Sequence, residues 1–354
     1  MIIIINYDLE IVNNDLGVFM MSLKRILSII SFLTISILLL FAAFFISIRF
    51  GANNITYGDI TNAILHFDST NPNHVVIHEL RIPRAIAALF VGAALAVAGA
   101  IMQGVTRNAL ASPSILGVTS GSSFLVALAF AFYKDPSYVM IAVHALIGAA
   151  VGASFVFGAT AMARGGITPV KLALAGSAIT ALLSSLSTAI GLKFDISKDI
   201  SYFYAGGFAS IQPIHIKLAV PLILIGLILA IGLAPSISVL SLGEEVAKGL
   251  GQNTMAIRIL STVAVILLTG AAVSIAGMIG FVGLVVPHII RPIVGVDYRS
   301  VLPASAVTGG LLLLVADIFG RMINSPFETP AGAVTALIGV PFFLWLARKD
   351  GRGL

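Results

Sequence analysis

Long apolar runs separated by short polar joints fill the chain from residue 26 to its end. A helical crossing of a bilayer needs ~20 mostly apolar residues. The pattern predicts ten, at 26–48, 85–104, 114–132, 138–162, 170–192, 214–233, 258–276, 278–296, 301–320 and 331–347, the eighth being the least sharply bounded. Hydrocarbon offers no hydrogen-bond partners, so runs of this length read as helices, and the many Gly and Pro within them predict tightly packed, locally broken ones. Residues 1–25 stand apart as an N-terminal extension. The stretch through Phe19 is too short to cross, carries three acids and lacks the basic start of a signal peptide, which leaves Met20 or Met21 as an alternative start. Residues 26–354 read as a single transmembrane domain.

One joint is itself patterned. In "SVLSLGEEVAKGLGQNTMAIR", residues 238–258, Leu242, Val246 and Leu250 fall on one helical face and Glu244, Glu245 and Lys248 on the other, with Gly249 and Gly251 at the end. This predicts a short amphipathic helix outside the hydrocarbon. It either lies among lipid headgroups or fits a groove on a protein partner, and two Glu against one Lys would attract anionic lipid poorly.

Small residues mark packing seams. Gly92, Ala96 and Ala100 recur at one-turn spacing, which lets helices approach closely. "AVAGAIMQ" at 96–103 weakly matches "SIAGMIGF" at 274–281 on a span predicted to run the other way, the arrangement of an inverted repeat.

Composition agrees with a polytopic all-α membrane protein: 58% hydrophobic residues, 10% charged, and a mean hydropathy of +1.08. An even number of crossings puts both termini on one side. Of the 20 Lys and Arg, 12 fall on that side and 8 on the other, so the termini are expected to be cytoplasmic. The net charge of +5 is dispersed between spans and gives no reason to expect a nucleic-acid partner. On this topology "ELRIPRAIAALFVG", residues 79–92, places Arg81 and Arg84 outside, where the orientation rule supplies no reason for them. Either they anchor among headgroups or, with Arg321 on the same face, they form a docking site for an acidic partner.

Candidate chemistry is sparse. With no Cys there is neither disulfide nor thiolate metal site, and no phosphate-binding loop, HExxH or GxSxG motif occurs. His288, one turn before Arg291, reads as a packing residue rather than a ligand, and no metal site is expected. Asp317 lies deepest in a span and is spaced to pair with Arg321 at i, i+4.

Several stretches together carry a family resemblance: "LRIPR" at 80–84, "VGAALAVAGAIMQ" at 91–103, "RNALASPSILGVTSG" at 107–121, "LALAGSAI" at 172–179, "YAGGF" at 204–208, "LGEEVAKGLG" at 242–251, "GMIGFVGLVVPHIIR" at 277–291 and "LLLLVADIFGR" at 311–321. From residue 26 onward the chain resembles a FecCD-type permease, the membrane subunit of ABC importers for iron-siderophore complexes, haem or cobalamin. The resemblance implies a type II ABC importer permease fold and a non-catalytic subunit in the cell membrane. It also implies pairing with a second permease subunit, two cytoplasmic ATPase subunits that bind ATP and magnesium, and an extracytoplasmic substrate-binding protein. No cofactor is implied in this chain. Arg81, Arg84 and Arg321 would face carboxylates of the binding protein. Residues 238–256 would form the coupling helices that meet the ATPase, through Leu242, Gly243, Glu244, Val246, Leu250 and Gly251. Asn108, Thr168, Pro169 and Val170 would fall at the inner gate, though "GGITPVK" is particular to this chain. The cargo implied is an iron(III)-siderophore complex, with haem or cobalamin as alternatives. An ion-coupled secondary transporter is the rival reading, and Asp317 alone supplies it poorly.

Overall fold

The computed structural model describes residues 2–51, 55–113, 117–162, 169–324 and 327–350. Among them the regular elements are helices: α1 (Ile2–Arg49), α2 (Tyr57–Leu65), α3 (Pro72–Val76), a π-turn (Ile77–Arg81), α4 (Ile82–Thr106), α5 (Val118–Phe132), α6 (Tyr138–Ala161), α7 (Pro169–Lys193), α8 (Ser197–Ala205), α9 (Pro213–Leu242), α10 (Glu244–Gly249), α11 (Thr254–Ala276), α12 (Val282–Val294), α13 (Tyr298–Met322) and α14 (Ala331–Asp350). Seven segments are long and apolar enough to cross a membrane, namely Ile26–Arg49, Pro72–Thr106, Tyr138–Thr160, Leu174–Lys193, Pro213–Leu242, Thr254–Ala276 and Tyr298–Met322. Val118–Phe132, Val282–Val294 and Ala331–Leu346 are shorter apolar helices. These ten correspond one to one with the predicted spans. The N-terminal extension continues the helix of the first span without a break.

α4 is the axis of the bundle, packed against α9, α11, α12 and α13. Its Ala- and Gly-rich sequence permits this, because small side chains bring neighbouring backbones together where lipid supplies no hydrophobic drive. Gly92 lies against the carbonyl of Gly309, Ala96 against Gly309, and Gly99 against Gly283, so the predicted stripe faces α13 and the next turn reaches α12. A second group, α5, α6 and α7, packs alongside, with Gly121 and Gly148 in mutual backbone contact.

Three departures from the sequence pattern have physical causes. First, the second span, expected from residue 85, is preceded by helical backbone from Pro72 onward, which puts Pro83 inside a helix. Proline cannot tolerate the carbonyl four residues back, and the chain widens to a π-turn, where the Ile82 N–H bonds Ile77 O. Second, α12 has 13 residues, ~20 Å at 1.5 Å per residue, short of the ~30 Å hydrocarbon. Residues 277–280 precede it without regular structure, and backbone from elsewhere meets this break: Gly207 N–H donates to Ala276 O at 2.9 Å and Met278 N–H to Phe203 O at 3.3 Å. Third, 96–103 lies inside α4 whereas 274–281 straddles the end of α11. The two helices run in opposite directions as expected, the C-terminal end of α4 and the N-terminal end of α11 both lying at Gly243 and Glu244.

Gly99 and Gly232 form a contrasting pair. A Cβ on Gly99 would overlap the Gly283 backbone, while one on Gly232 meets no atom within 4 Å. Gly99→Ala is expected to lower stability by ~1–3 kcal/mol through overpacking, and Gly232→Ala to leave it unchanged or slightly raised. Thermal unfolding in detergent, followed by loss of the monodisperse peak, checks both.

Candidate functional site

Functional candidates gather at the two ends of the bundle, named here the Arg84 end and the Glu244 end. At the Arg84 end α1 stops, and a helix stop leaves its last carbonyls without partners. Two arginines from other helices supply them. Arg81 Nη1 donates to Ile48 O at 2.7 Å and Arg49 O at 2.6 Å. Arg321 Nη1 donates to Ser47 O at 3.1 Å and Phe50 O at 2.8 Å, and its Nη2 to Ser47 Oγ at 2.8 Å. The positive heads also suit the negative end of the helix dipole. Arg81 is buried, at 7% exposure, and the side chain of Arg321 is equally covered, though the residue as a whole is half-buried.

Arg84 behaves differently. Its Nε and Nη2 grip the carboxylate of Asp317 at 2.9–3.1 Å, and its Nη1 meets both oxygens of Glu328 at 2.9 Å. Asp317 is 2% exposed and is also 3.3 Å from Arg321 Nε, the i, i+4 pair expected from the sequence, although without hydrogen-bond alignment. Glu328 is 41% exposed. The structure thus brings the three predicted arginines together but does not present them as three outward-facing heads. Arg81 and Arg321 are bound to backbone, and Arg84 reaches the surface through Glu328, a loop residue that the sequence pattern did not single out.

At the Glu244 end the segment 238–258, expected to hold a short amphipathic helix, falls into three pieces. α9 runs on to Leu242. Gly243 then turns the chain at φ 143°, a region open to glycine, α10 spans only Glu244–Gly249, and Asn253 caps α11 by accepting from Ala256 N–H at 3.0 Å. The apolar residues still lie together on the outside, with Leu242 68%, Val246 47% and Leu250 67% exposed. Ala247 sits on a small core of Leu240 and Ile257. Glu244 bridges Lys248 at 3.0 Å and Arg258 of α11 at 2.7 Å, so the short helix is tied to a spanning one. The hydrogen bond from Lys248, then the charge of Arg258, hold the Glu244 carboxyl below the usual glutamate range. A polar cleft of about 360 Å³ opens beside this pair, lined by Lys248, Gln252 and Met255 among others. Nearby, Asp297 accepts from Ser238 Oγ at 2.9 Å, Ser238 Oγ accepts from Tyr298 N–H at 2.8 Å, and Arg291 donates to the Tyr298 hydroxyl at 3.3 Å. This network joins α9, α12 and α13 and was not anticipated, because its members are spread over some 60 residues.

Three of the expected gate residues, Asn108, Pro169 and Val170, lie among the described residues. Asn108 closes a turn after α4, its Oδ1 accepting from Leu110 N–H at 2.9 Å. Pro169 and Val170 begin α7, and Thr168 lies outside the described residues. Among the described residues no cluster of His, Asp and Glu could hold a metal ion.

A final candidate surface runs along α7, the least apolar of the long spans. Ser177, Ala181, Ser185 and Thr188 form an exposed small and hydroxylated stripe at one-turn spacing. Ser185 Oγ and Thr188 Oγ1 donate to the carbonyls of Ala181 and Ser184, at 2.8 and 3.0 Å, which lets hydroxyls sit at membrane depth.

A model of the FecCD transport family matches residues 38–349. The chain belongs to the FecCD transport family. It is 53% identical over 310 residues to the iron(3+)-hydroxamate import system permease protein FhuB of Bacillus subtilis, covering 88% of this chain and 81% of that one. The iron-uptake system permease protein FeuB of the same organism is 47% identical over 306 residues, covering 86% of this chain and 92% of that one. A solved chain described as an inward-facing, metal-chelate type ABC transporter superposes with a TM-score of 0.78 at 30% identity, covering 90% of this chain and 98% of that one. The fold is therefore that of a FecCD-family ABC transporter permease, a multi-pass membrane protein.

Two outcomes test the geometry. Arg81→Gln strands the carbonyls of Ile48 and Arg49, and at ~1–3 kcal/mol for each group left unpaired it should lower the unfolding temperature clearly. Leu80→Ala, at a 52% exposed neighbour, should not. For the Glu244 tether, the folded carboxyl titrates below the 4.5 of an ordinary glutamate. Its contribution is complete above that value and is lost as pH falls through the depressed one. Because the chain lacks Cys, spin labels at Glu245→Cys and Met255→Cys report the α10–α11 separation. The distribution should stay narrow from pH 8 to 5 and broaden only at lower pH, whereas adding Arg258→Gln should broaden it throughout.

Proposed function

We propose that this chain is the membrane-spanning permease subunit of an ATP-driven importer that moves an iron(III)-siderophore complex, of the hydroxamate class, delivered by an extracytoplasmic binding protein. The observation that carries this reading is the 53% identity over 310 residues to an iron(3+)-hydroxamate import permease. Three features support it. The Leu242, Val246 and Leu250 face suits a cytoplasmic ATPase better than lipid headgroups, since the polar side of α10 offers Glu244 and Glu245 against Lys248. The α7 stripe suits the wall of a wet path shared with a second permease subunit, where lipid would favour larger apolar side chains. The Arg84 end, with three guanidinium groups to two carboxylates, suits an acidic docking surface.

In this reading the termini and the Glu244 end are cytoplasmic and the Arg84 end is extracytoplasmic, in the cell membrane. The loaded binding protein docks at the Arg84 end of both permease subunits. ATP and magnesium, bound by the ATPase pair, supply the drive. Movement of α10 passes to α11 through Glu244 and Arg258 and to α9 through Gly243, and the packed halves exchange outward and inward openings. The path wall offers hydroxyls and methyls but no metal-ligating cluster among the described residues, which fits a chelate carried intact rather than a bare ion.

Radiolabelled uptake by cells with and without the gene tests the cargo. Deletion should abolish uptake of a ferric hydroxamate, and the intact gene should restore it. Loss confined to haem or cobalamin would keep the permease reading and replace the substrate, and uptake that persists without any ATPase subunit would favour the ion-coupled rival.

A further inference from the structure

The Arg84 guanidinium holds two carboxylates of unequal standing. Asp317 is 2% exposed, takes the Nε and Nη2 edge, and lies beside Arg321 as well. Withdrawing it would leave buried positive charge uncompensated, which is strongly unfavourable. Glu328 is 41% exposed and takes the Nη1 edge with both oxygens at 2.9 Å. Among the described residues its carboxylate is held by Arg84 alone. It sits in the segment between α13 and α14, next to Thr329, whose N–H is fixed to Gly320 O at 2.9 Å. The backbone around Glu328 is therefore positioned while its side chain faces water.

We propose that Glu328 is an internal competitor for the docking carboxylate: it covers the outward edge of Arg84 in the undocked permease and yields that edge to an acid on the binding protein. This rests on the docking reading of the Arg84 end given above. The neighbouring arginines leave little alternative, because Arg81 and Arg321 have donors on the carbonyls that end α1, and drawing them away would uncap that helix. Exchange at Arg84 replaces one half-exposed ion pair by another of the same chemistry, so it is nearly balanced in free energy. With Glu328 swung aside, three guanidinium groups face one carboxylate, which strengthens attraction of an acidic surface at the moment of contact. An arriving surface without a suitably placed acid leaves the lid on, and the exchange therefore discriminates between partners as well as holding the right one.

Binding of the importer's own loaded binding protein to the permease–ATPase complex in nanodiscs, read by biolayer interferometry at low and high salt, tests this with Glu328→Gln, Arg84→Gln and Arg84→Lys. Removing the competitor should tighten binding about two- to five-fold at low salt, with a smaller gain at high salt. Arg84→Gln should weaken binding by roughly tenfold or more. If Arg84→Gln does not assemble, Arg84→Lys, which keeps the charge but loses the fork, should still weaken it. Weaker binding at Arg84 with unchanged or weaker binding for Glu328→Gln overturns the competitor while leaving the docking site intact. Unchanged binding for every variant overturns the docking reading itself.

Discussion

Hydrocarbon donates and accepts no hydrogen bonds, and each place where this chain stops being helical at membrane depth has to be closed by protein. The end of α1 is closed by guanidinium groups from the π-turn and α13. The irregular stretch after α11 is closed by backbone from α8 and the turn that follows it. In both places groups distant in sequence are brought together, so local continuity of the helices depends on the tertiary fold. The same requirement explains why charge sits where it does: a buried arginine is tolerable when several carbonyls and a carboxylate share it.

At the Arg84 end structural and functional demands fall on one cluster. Asp317 neutralises part of the charge needed to cap α1, and this leaves Arg84 an outer edge that Glu328 holds at the surface. The Glu244 end solves a different problem. A six-residue helix cannot persist alone, and α10 is held by a glycine turn, by Ala247 in a small apolar nest and by one ion pair to α11. Such a helix can be pushed as a unit because its attachments are few and of known direction.

Much of this was legible in the sequence for the reason that hydrophobic length is a direct record of membrane thickness. The ten spans, the close-packing stripe on α4 and the gathering of Arg81, Arg84 and Arg321 at one end all follow from spacing. The bonding of those arginines did not, because the carbonyls of Ile48 and Arg49 have no letter of their own, and a side chain aimed at backbone looks the same as one aimed at solvent. The run of α9 to Leu242 was hidden because "SVLSL" is as compatible with a helix end as with a loop, and the break at Gly243 is a matter of one backbone angle. Glu328 was missed because loop residues are placed by what flanks them in space, which periodicity does not encode.

The junction of α8, α11 and α14 is built from main chain. Gly277 lies against the carbonyl of Phe203, Gly206 against that of Met278, and the Gly332 N–H donates to Gly206 O at 3.2 Å. A seam of this kind carries no side-chain vocabulary, so it cannot be rewritten piecemeal as cargo changes. It ties three helix ends together through groups that every residue type shares. Substitutions on exposed faces such as that of α7 leave this joint as it is.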